Sequence, residues 1–134
     1  MAESRLPTGV HMRKVKLEVA REKGKPEPVA GNGYEFVAPL DAAGHIDLDA
    51  WKHMRALCFV HRLENGVVAE RGLLVHRAGG QGGATWAFDY APGEGDEEAG
   101  YRFNAHPFLP GEYVSVRDED GVLHTYRVAS VAAA

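Results

Sequence analysis

Cysteine is almost missing from this chain, since Cys58 is the only one in 134 residues. A single cysteine cannot form a disulfide within the chain and is typical of a reducing compartment, so we expect a cytoplasmic protein. No apolar run approaches the length of about 18 residues that a transmembrane helix needs. The basic residues near the N-terminus have no apolar segment behind them. We therefore expect neither a membrane partner nor a secretory signal.

Motifs for nucleotide binding, hydrolysis and metal binding are also missing. The chain has no G-x-x-x-x-G-K-[ST] loop, no G-x-G-x-x-G between a strand and a helix, and no G-x-S-x-G elbow. Cys58 stands alone, and no two histidines have ligand spacing on a recognisable element. The acidic run that contains Glu94, Asp96, Glu97 and Glu98 lacks the alternating spacing of a calcium loop. We therefore predict no metal site and no cofactor.

Charge is unevenly distributed along the chain. Residues 1–25 carry seven Lys or Arg and three Glu, whereas the remainder carries eight Lys or Arg and sixteen Asp or Glu, for a net charge of −4. An acidic body argues against nucleic acid as the main partner. The basic segment is a candidate contact for a polyanion, although a solvated strand face is the simpler interpretation. Its candidate side chains are Arg13, Lys14, Lys16, Arg21, Lys23 and Lys25.

Short strands are predicted along most of the chain, and the length fits one domain. Apolar residues alternate with polar ones over residues 13–20, which predicts the first strand. The second strand is expected over residues 34–40, after a connection rich in glycine and proline. We place a disordered tail at 1–11, a single β domain at 12–131 and a short C-terminal tail at 132–134.

One short helix is predicted between Asp47 and Leu57. Asp47 is a plausible N-cap, and Leu48, Trp51 and Met54 fall near helical spacing. Trp51 is expected to close one end of the β structure. Six to eight short strands with a single short helix predict a mostly β fold, either a small antiparallel β-barrel or a sandwich.

A first hairpin is predicted around Asn65-Gly66, a pair that favours a type I′ turn between two strands. A regular ladder from this turn would place Leu63 opposite Val68, His61 opposite Glu70, and Phe59 opposite Gly72. Gly72 would let the Phe59 ring lie over the partner backbone, or would mark a bulge.

A second hairpin closes the chain around residues 119–121. A three-residue loop with Gly121 in the left-handed region keeps one face apolar, whereas a two-residue loop mixes the faces. The pairs that this register sets opposite each other are Val116 with His124, Val114 with Tyr126, and Tyr113 with Arg127. A cation–π contact is expected in the last pair.

Three aromatic residues, Trp86, Phe88 and Tyr90, lie on one face of a predicted strand. They are candidates for a ligand-binding row or a stacking platform, although core packing is the preferred interpretation. The acidic segment that follows, residues 92–100, is expected to be a loop without regular structure.

Four residues are candidates for catalysis: His61, Glu70, His106 and His124. His61 opposite Glu70 could act as an acid–base pair, although a cross-strand ion pair is the simpler interpretation. His124, on the inward row of the closing hairpin, could line a pocket or could be a bonded core histidine. Cys58, between two apolar residues, is expected to be an inert buried thiol.

Four segments carry a resemblance to a known family. They are GYEFVAPLD at 33–41, TWAFDY at 85–90, PGEYVSVRDEDG at 110–121 and HTYRV at 124–128. Over roughly residues 12–131 the chain resembles a family of small bacterial proteins of unassigned function. The resemblance implies a soluble bacterial single-domain protein, and it implies no activity, ligand or catalytic residue.

These observations favour a binding or interaction module over an enzyme, because no assembled catalytic motif occurs. Its ligand would lie near the aromatic strand and residues 22–33, and a protein partner or a homodimer is compatible with the sequence. The alternatives are a small enzyme or ligand-binding barrel with histidines and glutamate in a central cavity, and a weak nucleic-acid contact through the basic segment.

Overall fold

The computed structural model describes residues 6–20, 31–77, 86–91, 96–101, 106–117 and 121–134. For residue 91 and residues 96–101 the description is of the backbone alone. The predictions that involve Arg21, Lys23, Lys25 and Glu94 lie outside the described residues.

The strands form a closed antiparallel barrel in which each strand pairs with the next and the last pairs with the first. This confirms the predicted mostly β fold and selects the barrel over the sandwich. Closure leaves no strand edge unpaired among the described strands. In chain order these strands are β1 (His11–Val19), β2 (Gly33–Leu40), β3 (Phe59–Glu64), β4 (Val67–His76), β5 (Trp86–Ala91), β6 (Asp96–Tyr101), β7 (Tyr113–Arg117) and β8 (Leu123–Ala133).

A helix, α1 (Leu48–Met54), lies between β2 and β3 and continues into a 3₁₀ turn at Arg55–Leu57. The Asp47 side chain caps α1 by accepting a hydrogen bond from the Ala50 amide at 2.9 Å. This matches the predicted N-cap and helix. Among the described residues, no helix is long and apolar enough to cross a membrane.

The barrel has two ends that differ in what covers them. At the helix end, β1 begins, β2 ends and α1 closes the interior. Trp51 is buried there, and its indole N–H donates to the Leu74 carbonyl at 3.0 Å. Its ring meets Trp86 edge-on, with centroids 5.3 Å apart. The opposite end carries the Asn65-Gly66 turn and Gly121, and we call it the hairpin end.

The core fills the middle of the barrel with inward-facing apolar side chains from all the strands whose side chains are described. Phe36 packs between two other rings, with its centroid 5.5 Å from that of Phe88 and 5.3 Å from that of Phe108. Val15 and Leu17 alternate with the polar residues of β1, as the period of two requires.

The barrel extends slightly beyond the predicted limits of the domain. β1 begins at His11, Val10 is buried, and residues 6–10 are placed against the barrel rather than in a free tail. β8 runs to Ala133, which pairs with Arg13. Residues 132 and 133 therefore belong to the sheet, because pairing with β1 satisfies their backbone groups.

The register of the closing hairpin is confirmed. Val116 lies opposite His124, and Tyr113 lies opposite Arg127. Gly121 has a φ of +84°, which is the left-handed conformation that this loop requires.

The Asn65-Gly66 hairpin follows the predicted register only beside its turn. Leu63 lies opposite Val68, but the register then shifts, so that Ala69 is an extra residue on β4. Glu70 consequently faces Arg62, and the predicted pair of His61 with Glu70 is wrong. Phe59 lies opposite Leu73 for the same reason, and Gly72 lies opposite Val60.

The prediction of an acidic loop over residues 92–100 is also wrong for its second half, because residues 96–101 form β6. This strand pairs with β5 on one side and β7 on the other. Residues such as Glu97 and Glu98 are poor strand formers, but the barrel can close only if a strand fills this position. Tertiary pairing therefore overrides local propensity here.

Candidate functional site

A cavity of about 320 Å³ opens at the hairpin end of the barrel. It is bounded by the last residues of β1, the first residues of β2 and β8, and the turn between β3 and β4. Its lining residues are Val19, Asn32, Gly33, Tyr34, Arg62, Leu63, Glu64, Asn65, His124 and Tyr126. We call this space the hairpin-end cavity.

The floor of the hairpin-end cavity is aromatic. Tyr34 is 3% exposed and Tyr126 is 7% exposed, so both rings are fixed by packing. The Tyr34 ring meets Tyr126 edge-on at 5.1 Å between centroids and lies 4.9 Å from that of Phe88. His124 continues the inward row of β8 above Tyr126 and is half-buried. The closing hairpin therefore supplies two of the lining side chains through its register.

Arg62 supplies the positive charge of the cavity. It follows Val60 on the inward row of β3, and it lies opposite Tyr34 on one side and Glu70 on the other. Its guanidinium bonds to Glu64 and lies 3.4 Å from a Glu70 oxygen. Burial lowers the pKa of Arg62, but the bonds and charges of Glu64 and Glu70 outweigh burial and raise that pKa. The arginine charge is therefore compensated within the protein.

Sequence reasoning did not find Arg62. The available signal was its position two residues after Val60, on the face that alternation assigns to the interior. Charged side chains on an inward row are expected only near a barrel mouth, where water can reach them.

Two loops meet at the rim of the cavity. The Asn65 amide donates to the Asn32 side chain at 2.9 Å, and the Gly66 amide donates to the Gly31 carbonyl at 3.1 Å. A Cβ at Gly31 would lie 2.5 Å from the Gly66 nitrogen, so only glycine permits this approach. The rim is therefore held by one hydrogen bond between backbone groups and one from a backbone amide to a side chain.

The four candidate catalytic residues do not converge. Of these four, only His124 lines the hairpin-end cavity. His61 faces outward, with Nδ1 3.7 Å from a Glu35 oxygen and its ring against Phe59. Glu70 is engaged with Arg62, and His106 lies in the segment before Phe108, at the helix end. The described residues also contain no group of three or more His, Cys, Asp or Glu that could hold a metal ion.

The aromatic row on β5 lies mainly in the core. Trp86 is 3% exposed and Phe88 is fully buried, whereas Tyr90 is half-buried. Trp86 contacts Trp51 and His76 at the helix end. A solvent-facing stacking platform therefore does not form from these rings.

The basic residues of β1 are divided between two faces. Arg13 is on the row of Val15 and lines a second cavity at the helix end. Lys14 and Lys16 are on the outer row, where Lys16 lies opposite Glu35. Alternation prevents these three cations from forming one patch. On the outer row, the negative charge of Glu35 also offsets the positive charge of Lys16.

Cys58 is fully buried, and its Sγ lies 3.4 Å from the Met54 carbonyl. Burial raises the pKa of the Cys58 thiol to about 12. The thiol is therefore protonated at neutral pH and is unsuited to nucleophilic catalysis.

No family model, no curated protein and no solved structure matches the chain. The chemistry of the cavity itself is what supports a function.

Proposed function

We propose that the protein is a binding module that takes a small, neutral or singly cationic polar molecule in the hairpin-end cavity. The observation that carries the proposal is the combination of a rigid tyrosine floor with a compensated arginine at one mouth of the barrel. Barrel mouths are a common place for ligand sites, and about 320 Å³ is sufficient for a small molecule.

The charge of the ligand follows from the surroundings of Arg62. Its guanidinium already has Glu64 and Glu70 as partners. A ligand carboxylate or phosphate would have to compete with these carboxylates, at close range to both of them. A molecule with hydrogen-bond donors instead meets the Glu64 carboxylate, the Asn32 and Asn65 side chains and His124 at the rim.

A binding role is favoured over catalysis because the side chains that the enzyme hypothesis requires lie apart. His124 is the only one of the four candidates at this cavity, and the buried Cys58 is protonated at neutral pH. The nucleic-acid alternative has little support, because Arg13 and Lys16 lie on opposite faces of β1. A bacterial source and a cytoplasmic location remain predictions of the resemblance and of the single cysteine.

The experiment is a fragment screen of the uniformly ¹⁵N-labelled protein with small amines, amides and polyols, each beside a carboxylate of similar size. We expect neutral and cationic fragments to shift the amide signals of Gly33, Leu63 and His124, and the carboxylates to leave those signals unchanged. The variant Tyr126→Leu should lower the affinity for the best-binding fragment at least tenfold, since it removes part of the aromatic floor and the phenol oxygen.

The matched controls are His124→Ala and His106→Ala, which remove a histidine from each end of the barrel. Only His124→Ala should lower the affinity for the fragment. Equal weakening by both variants, preferential binding of the carboxylates, or shifts confined to other parts of the chain would each overturn the proposal.

A further inference from the structure

A second cavity, of about 520 Å³, lies at the helix end of the barrel, away from the hairpin-end cavity. Its larger apolar lining residues are Leu40, Phe108, Leu109 and Val131, of which Leu109 and Val131 keep accessible surface. Phe108 is fully buried, and its segment is fixed by a 2.7 Å hydrogen bond from the Phe108 amide to the Gly44 carbonyl. We call this space the helix-end cavity.

Arg13 gives the helix-end cavity its cation. It lies on the inward row of β1, next to the fully buried Val15, and its cross-strand neighbours are Ala38 and Ala133. Two alanines leave space around the guanidinium that larger side chains would fill. His11 follows on the same row at the rim. The two basic side chains therefore lie along one side of the cavity.

The Arg13 guanidinium has no ion pair or side-chain hydrogen bond within the described parts of the chain. This distinguishes it from Arg62, which has two carboxylate partners at the other end. A half-buried guanidinium that forms no ion pair with a described carboxylate presents parallel N–H donors that match a carboxylate in geometry and charge.

Asp41 places a negative charge in the same cavity. Its carboxylate also lines the cavity, where Oδ1 accepts hydrogen bonds from the Ala43 and His45 amides, each at 2.9 Å. These bonds hold the carboxylate in place, so a second anionic group on a ligand would meet a fixed like charge. Phosphates and dicarboxylates are disfavoured for that reason.

We propose that the helix-end cavity binds a small monocarboxylate with an apolar body, with the carboxylate on Arg13 and the body against Leu109 and Val131. This site is separate from the proposed function at the hairpin end and uses none of its lining residues. The protein would then carry two cavities of opposite charge preference, one at each end of the barrel.

Octanoate is the probe, and its uncharged partner 1-octanol and inorganic phosphate are the comparisons. Binding to the full chain is followed by calorimetry and by the amide signals of Gly9, Gly44 and Leu109. We expect octanoate to bind at least tenfold more tightly than octanol, and phosphate to leave the signals unchanged. Two results would overturn the proposal: an affinity for octanol equal to that for octanoate, or a change in these amide signals on addition of phosphate.

Variants of β1 test the arginine directly. Arg13→Met keeps the apolar stem and should weaken octanoate binding at least tenfold. The control Lys16→Met also replaces a cation by methionine, but on the outer row, and should change octanoate binding by less than twofold. Arg13→Lys should retain part of the affinity. Unchanged binding to Arg13→Met would exclude the site, and the comparison of octanoate with octanol tests it without any variant.

His124→Ala separates the two proposals. This variant should leave octanoate binding unchanged, even though it weakens the binding of a ligand in the hairpin-end cavity. If His124→Ala abolishes octanoate binding, the carboxylate occupies the hairpin end, and the assignment to Arg13 is wrong.

Discussion

The Arg62 guanidinium lies 3.4 Å from the Glu70 carboxylate across the β3–β4 pair, at the mouth of the hairpin-end cavity. The extra residue Ala69 brings the two together, because it shifts the β4 register by one position. Glu64 approaches the same guanidinium from the turn. The bulge therefore makes Glu70 a partner of Arg62 at the candidate site.

The Arg62–Glu70 pair is predicted to be weakly stabilising. Both side chains remain partly exposed, so solvent screens their attraction, and a double-mutant cycle with Arg62→Met and Glu70→Gln should give a coupling of about 0.2–1 kcal/mol. Urea denaturation followed by circular dichroism measures it. The control is the more exposed pair of Arg127 with Glu18. A coupling larger for the control than for Arg62–Glu70 would contradict the described geometry.

Gly72→Ala is predicted to destabilise the barrel by about 2–3 kcal/mol. A Cβ at this position would lie 2.3 Å from the Asp89 carbonyl oxygen, so β4 and β5 would have to separate. Thermal unfolding of the variant measures the loss. Gly121→Ala is the control, since its Cβ meets no atom within 4 Å and only its φ of +84° is strained. That control should lose about 1 kcal/mol. Equal losses would argue against the close approach at Gly72.

Trp51→Phe is predicted to reduce stability by about 1–3 kcal/mol. The variant keeps an aromatic ring but leaves the buried Leu74 carbonyl without the indole N–H. Urea denaturation measures the difference in unfolding free energy. Leu57→Ala, in the adjoining 3₁₀ turn and 57% exposed, should change stability by less than about 0.5 kcal/mol. A Trp51→Phe effect no larger than that of Leu57→Ala would show that the helix does not close the barrel through this bond.

Cys58 is predicted to resist alkylation in the folded protein. Its pKa is about 12, against 9.0 for an ordinary thiol, because burial disfavours the thiolate. Iodoacetamide should therefore react with Cys58 at about pH 8 only after unfolding in concentrated urea. Mass spectrometry measures the extent of reaction. Rapid labelling of the folded chain would contradict the burial of this thiol.

The same shift predicts how stability depends on alkaline pH. The folded state keeps the Cys58 proton above the pH at which the unfolded chain loses it, so unfolding releases a proton and stability falls as pH rises from about 9 towards 12. Cys58→Ala should lessen this loss, whereas it should not alter the pH dependence below about 8. An identical alkaline profile in the two proteins would contradict the prediction.

Most strands and the helix could be predicted from the sequence, because local rules decide them. The capping Asp47 and the apolar spacing around Trp51 are sufficient to place α1. The closing hairpin could be predicted to the residue, since Gly121 and the apolar face of Val114 and Val116 permit one register. These features depend on neighbours close in the chain.

The candidate sites were less predictable, because side chains distant in the chain form them. His124 could be placed on an inward row, but its place in one cavity with Arg62 depends on β3 and β8 reaching the same mouth. Arg13 was predicted as one member of a basic segment, yet alternation separates it from Lys14 and Lys16. The bulge lies at Ala69 rather than at Gly72, the position that the sequence suggested, and it makes Arg62 rather than His61 the partner of Glu70.

The sequence by itself determined the period of the strands, the helix cap and the register of the closing hairpin, since each depends on steric preferences within a few residues. Tertiary structure decided that acidic residues 96–101 form a strand, because unpaired backbone groups on β5 and β7 make closure favourable. It also decided that Arg62 has two carboxylate partners, whereas Arg13 forms no ion pair among the described residues. Only the closed barrel sets which carboxylates come within reach of each guanidinium, and this gives the two ends their different chemistry.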